Sequence, residues 1–172
     1  MLRDQGSYKC NTSKELIDYF RGCEGHNTLS IKGESQMRRG SRFIWYDWVK
    51  NVKAKFKDSK GLDLVAEIEA FKQVKANITH KRHVKKYSNQ FIWEINDQIT
   101  GANGFSKQVF WHINPYWLDK VEIKAYDEHD VELSCQLDKV WHSGYYGVKE
   151  SSTRYTFITN SDYIRTIIKI QK

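Results

Sequence analysis

The chain has 172 residues, with 28 Lys+Arg against 21 Asp+Glu, a formal net charge of +7 and 40% apolar residues. This composition excludes disordered, collagen-like and low-complexity chains and is enough for a sizeable core. No apolar run approaches the roughly 18 residues needed to span a bilayer. The N-terminal residues lack the apolar stretch of a secretory signal, so a cytoplasmic protein is expected.

The charge is uneven. Residues 1–88 carry 19 Lys+Arg and 10 Asp+Glu, a net of +9, whereas residues 89–172 carry 9 and 11, a net of −2. An anionic partner would be met by the first half.

In chain order, Thr12 and Glu15 form a capping-box pattern that opens a short helix, with Leu16, Ile17 and Phe20 on one face and Gly22 as its stop. Residues 23–40 read as a loop with a short strand near 28–32. Ser41 is placed to cap a second helix: Trp45, Trp48, Val49, Val52 and Phe56 recur at helical spacing, with Lys50, Lys53 and Lys57 opposite. Gly61 ends it. A third helix is expected over 62–76, with Leu64, Ile68 and Phe71 buried. Residues 79–87 close the half with a run that has no acidic side chain.

After residue 89 the period changes from 3.6 to 2. Phe91, Trp93 and Ile95, then Val109, Trp111 and Ile113, then Val121, Ile123 and Ala125, then Val131, Leu133, Cys135 and Leu137 alternate with other residues. Residues 153–159 and 163–170 complete the set. Turns fall at 101–104, 114–115, 127–130 and 160–162. Short strands joined by tight polar turns predict an antiparallel sheet or sandwich. The expected fold is α+β, a basic helical part (1–88) packed against a C-terminal antiparallel β part (89–172) in one compact unit.

Two basic clusters stand out for function. Arg38, Arg39 and Arg42 lead into Lys50, Lys53, Lys57 and Lys60; Lys81, Arg82, Lys85 and Lys86 form the second, beside Tyr87. Cations neutralise phosphates and aromatic rings stack bases, so the leading expectation is a non-enzymatic protein binding DNA, RNA or a nucleic-acid-bearing complex. A solvated surface explains the lysine stripe equally well. The alternative is a protein-interaction module, an inhibitor or structural component, docking through an aromatic surface. Aromatics make 14% of the chain, and Trp111, Trp117, Trp141, Tyr145 and Tyr146 gather in the second half.

A second alternative is a Mg²⁺-dependent nuclease using Glu122 and Lys124, which alternation puts on one strand face as Glu-x-Lys metal nucleases require. Its partner carboxylate is missing: Asp119 is too near and Asp97 lies beyond a turn and a strand. The hairpin register instead sets Glu132 near Lys124, an ordinary surface pair. Cys10, Cys23 and His26 lack zinc-ligand spacing. His80, His83, His112, His129 and His142 have no carboxylate at defined spacing, and no phosphate-binding loop is present. No metal or cofactor is expected.

Overall fold

A computed structural model describes residues 1–41, 43–58 and 61–171. After an N-terminal segment comes the one α-helix among them, α1 (Lys14–Arg21), followed by a 3-10 turn at Cys23–Gly25. All else that is regular is β, apart from a 3-10 turn at Pro115–Trp117. The strands are β1 (Leu29–Ile31), β2 (Arg38–Arg39), β3 (Trp45–Tyr46), β4 (Lys50–Lys57), β5 (Gly61–Ala70) and β6 (Ile78–Tyr87). They continue with β7 (Ile92–Thr100), β8 (Lys107–Ile113), β9 (Val121–Tyr126), β10 (Cys135–Tyr145), β11 (Val148–Thr159) and β12 (Tyr163–Ile170). A four-stranded sheet, β1-β8-β11-β10, faces a six-stranded sheet, β4-β5-β6-β7-β12-β9, and β2-β3 form a separate ribbon. No helix among the described residues is long and apolar enough to cross a membrane.

The expected α+β fold is therefore overturned. Residues 50–57 and 62–70, expected as helices, lie in β4 and β5, and the basic run 79–87 lies in β6. The reason is visible in the residues. Val52, Ala54 and Phe56 alternate with Lys53, Lys55 and Lys57, and Leu62, Leu64, Ala66 and Ile68 alternate with Asp63, Val65, Glu67 and Glu69. Both segments also contain apolar residues three and four apart, so both periods fit; pairing with neighbouring strands decides between them. Gly61, expected to stop a helix, opens β5 at φ +116°, where a Cβ would lie 2.1 Å from the Lys86 carbonyl oxygen. Residue 88 falls in the short connection between β6 and β7, which are neighbours in one sheet.

The core lies between the sheets. Leu29, Ile31, Val109, Trp111, Ile113 and Phe157 from one meet Ile78, Ile95, Ile99, Ile123, Ile164 and Ile168 from the other, with Ala70 and Phe71 alongside. Burying an aliphatic side chain contributes about 1.5–3 kcal/mol, which makes this layer the main source of stability. A charged network also sits on the inner side of the six-stranded sheet. Asp97, fully buried, accepts from Arg82 Nε at 2.6 Å, Arg82 Nη2 at 2.9 Å and His80 Nε2 at 2.7 Å. Burial pushes its carboxyl up, but Arg82 and then His80 outweigh this and hold it well below the ordinary range. Lys107 is fully buried too; its Nζ donates to the carbonyls of Ala102 and Asn160 and pairs with Asp162.

The N-terminal segment straps the four-stranded sheet. Leu2 bridges Ile113, and Gly6 bridges Ser143 in parallel. The Ser143 amide donates to the Gln5 carbonyl at 2.8 Å and the Gly147 amide to Tyr8 at 2.7 Å. Gly6 has φ +74°, and a Cβ there would lie 2.1 Å from Ser143 O, so no other residue fits.

The β half is partly as expected. The strands near 91–95, 109–113, 121–125, 153–159 and 163–170 and the antiparallel pairing are present. The 131–138 strand is not: β10 begins at Cys135, and Val131 and Leu137 are exposed, although Leu133 packs on the core.

Candidate functional site

The basic residues separate into three settings once folded. On the outer face of the six-stranded sheet they alternate with acids across strands: Lys53, Glu67 and Lys81 stand abreast on β4–β6, and Lys57, Asp63, Lys85 and Glu94 on β4–β7. Lys53 reaches Glu67 at 3.4 Å and His83 donates to Asp63 at 2.7 Å. The acid-free run of β6 is thus flanked by the acids of β5 and β7. Arg82 is turned inward, onto Asp97 and 5.0 Å from the Trp111 ring centroid. Arg42 and Lys60 lie outside the described residues.

Arg38 and Arg39 occupy the third setting. The β2–β3 ribbon pairs Arg39 with Trp45 and Arg38 with Tyr46. It lies against α1, whose Ser13 cap accepts from the Leu16 amide and whose Asp18 receives Arg39 Nε at 2.9 Å. Burial pushes the Asp18 carboxyl up, but hydrogen bonds from Lys14 and Arg39 hold it below its ordinary value. Arg38 Nε donates to Asp47 at 3.0 Å, and its guanidinium stacks on Tyr46 at 5.0 Å. Arg21, in the last turn of α1, lies 5.4 Å from the Phe43 ring centroid.

These elements enclose a cleft of two adjoining recesses that share Arg21 and Trp45. One, of about 350 Å³, also has His26, Thr28 and Gln36 in its wall. The other, of about 300 Å³, has Asp18, Glu34, Arg38 and Arg39. His26 comes from the loop after the first 3-10 turn. Its Nδ1 donates to Asp4 Oδ2 at 2.6 Å. Burial pushes Asp4 up, but His26 and the Gly6 amide outweigh it, so the carboxylate stays ionised and acceptor-only. With Nδ1 donating to Asp4, the ring is fixed in orientation and Nε2 is its other polar atom. Cation, aromatic face and oriented imidazole are thus brought together from three parts of the chain.

A buried network backs the cleft on the outer face of the four-stranded sheet. His112 Nε2 donates to the Glu24 carbonyl at 2.9 Å, and Arg154 Nη1 to the same oxygen at 3.0 Å. Arg154 also reaches Asp138 at 2.9 Å, which accepts from Thr156 at 2.6 Å. Burial and then Arg154 push His112 down to about 3, so this imidazole is neutral. The same face supports Asn27, whose Oδ1 accepts from the His112 amide at 2.7 Å.

Of the sequence-derived residues, Arg38 and Arg39 reach the cleft and Arg82 is internal. Lys57, Lys85, Lys86 and Tyr87 meet in a separate groove of about 300 Å³ beside Gly61. Glu122 and Lys124 share the outer face of an edge strand, as expected, but Glu122 and Glu132 both turn to the Lys124 ammonium, at 3.7 and 3.4 Å. Glu132 and then Glu122 raise the Lys124 pKa, keeping it charged. Asp4 and Arg21 were missed; nothing in their spacing from His26 or Trp45 marks them.

Residues 1–164 match the heparinase II/III-like, C-terminal family, and the chain belongs to it. A solved heparinase III with methylated lysines superposes with a TM-score of 0.75 at 16% identity, over 100% of this chain and 28% of its own. The heparan sulfate lyase of Pedobacter heparinus does so with a TM-score of 0.73 at 13% identity, over 99% and 28%. At such identities the likeness establishes the sandwich fold. The chain spans about 28% of the length of these structures. No curated protein matches it. Family membership overturns the expectation of a DNA or RNA partner, and with it the interaction-module and nuclease readings. The helical basic face on which that expectation rested is absent among the described residues, whose cations there lie on strands, largely opposite acids.

Proposed function

We propose that the chain is a polysaccharide-engaging β-module of heparinase type, binding an acidic, uronate- or sulfate-bearing sugar chain in the α1–β2–β3 cleft. The carrying observation is the convergence of Arg21, Arg38, Arg39 and His26 around Trp45 in a member of this family. Trp45 supplies a flat apolar face for a sugar ring. The guanidinium groups match carboxylate and sulfate oxygens in planar, bidentate geometry. Arg39 is held in place by Asp18 and Arg38 by Asp47, which reduces the ordering needed on binding.

The same geometry suits β-elimination. That reaction passes the proton on the carbon next to a uronate carboxylate to a base, forms a carbon–carbon double bond and breaks the carbon–oxygen bond, the glycosidic oxygen leaving as a hydroxyl with a proton taken from water. It requires a base and a cation that neutralises the carboxylate. We assign the base to His26 Nε2, oriented by Asp4, and the neutralising role to Arg21. The unpaired thiols Cys10, Cys23 and Cys135 are compatible with the cytoplasmic location expected from the sequence.

The test is titration of heparan-type oligosaccharides with the whole chain, alongside release of UV-absorbing unsaturated ends. Trp45→Ala and Arg39→Ala are expected to weaken binding about tenfold or more. His26→Gln is expected to keep binding and abolish any elimination. Unchanged affinity in both cleft variants would refute the reading.

A further inference from the structure

Beyond Trp45 of the cleft the chain enters a lysine-rich strand. β4 is an edge strand with β5 as its one neighbour, and all eight of its residues are exposed. It starts at Lys50, five positions after Trp45 of the cleft, and ends at Lys57, in the wall of the groove that also holds Lys85, Lys86 and Tyr87. At about 3.3 Å per residue β4 covers roughly 23 Å, enough for several sugar rings.

We infer that the binding surface runs from the cleft along β4 into the Lys57–Lys85–Lys86–Tyr87 groove, so that the ligand is an extended acidic polysaccharide held at both ends. This rests on the cleft reading and adds the length of the ligand to it.

Lys53, Lys55 and Lys57 share one face of β4 and recur roughly every 6.6 Å, a repeat suited to a polymer with regularly spaced anions. Lys53 is engaged by Glu67. Lys55 stands opposite Val65, and Asp63, opposite Lys57, takes His83 instead. Lys55, Lys57 and Lys85 have no ion pair among the described residues, so their charge is available to a ligand. Tyr87 is 57% exposed and gives the groove an aromatic face. Edge lysines also discourage strand-to-strand association, but that role does not call for Lys85 and Tyr87 of β6 to line one recess with Lys57.

The experiment compares a short oligosaccharide (four sugars) with a long one (ten or more) of the same sulfation, on the wild type and on a Lys55→Gln, Lys57→Gln, Lys85→Gln variant. The wild type is expected to bind the long chain about tenfold or more tightly than the short one, through two linked subsites. The variant is expected to lose that advantage and keep its affinity for the short chain. A variant that keeps the length advantage, or a wild type without one, overturns the inference and leaves the cleft reading intact. Short-chain binding that survives Trp45→Ala and Arg39→Ala removes the cleft reading instead. Polyglutamate binding as tightly as the long sugar, with the same loss in the variant, overturns the assignment to a polysaccharide.

Discussion

The outer faces of the two sheets handle charge in opposite ways. On the six-stranded sheet, Lys53, Glu67 and Lys81, and Lys57, Asp63, Lys85 and Glu94, stand in open rows. On the four-stranded sheet, the strap, α1 and the loop after it cover Arg154, Thr156 and Asp138, which bond to one another, and His112, which shares the Glu24 carbonyl with Arg154 and keeps a buried Nδ1 without a partner among the described residues. Solvated rows are cheap to alter and free to meet a ligand. A covered network is costly to break and rigid enough to hold a cleft margin. The two faces therefore divide the labour of recognition and support.

The sharpest break comes at the covered face. Arg154 is 11% exposed at its side chain, so Asp138→Ala removes its nearer carboxylate and leaves it the Glu24 carbonyl and, at 3.7 Å, the Glu24 carboxylate. A loss of about 1–3 kcal/mol is expected in urea unfolding. A loss below about 1 kcal/mol would mean that the network is as wet as the open rows.

Acid provides the next contrast. His112 is pushed down to about 3 in the folded chain, whereas an unfolded histidine takes a proton near pH 6.5. Between those values the unfolded state binds the extra proton, so stability falls as pH drops from about 6.5 toward 3. His112→Gln is expected to flatten the stability curve between pH 6.5 and 4.5. His129→Gln, in an exposed turn, is expected to leave it unchanged. Equal slopes in the two variants would count against a neutral, buried His112.

The smallest effects belong to the open rows. Lys53→Ala and Glu67→Ala are each expected to shift stability by no more than about 0.5 kcal/mol, with a weak coupling in the double-mutant cycle. A coupling above about 2 kcal/mol would show that this face is less open than its exposure implies.

Much of the second half of the fold was legible because β7, β9 and β12 each bury one face and alternate, and because polar turns bound β8 and β11, which are covered on both faces. Residues 50–87 were not. In β4 the apolar residues Val52 and Phe56 satisfy a helical spacing as well as a strand spacing, and β4 is an edge with no buried face to break the tie. The 131–138 alternation misled in the reverse sense: it is regular, yet no sheet covers Leu137. At the cleft, Arg38 and Arg39 could be picked out by charge. Asp4 and His26 could not be joined, because their contact depends on the strap lying across the four-stranded sheet, a relation carried by no local period.

That strap also sets an order of events. Its partners lie far along the chain: Ser143 Oγ donates to the Ser7 carbonyl across 136 positions. Gly6 can seat only after β10 has formed and paired with β11. Closing so large a loop costs entropy before any contact rewards it, which places such contacts late in folding. During synthesis the strap leaves the ribosome before the strands it docks on and waits for almost the whole sandwich. The cleft inherits this delay, since Asp4 reaches His26 only when the strap has docked, so residues made before the sandwich are among those that complete the site last.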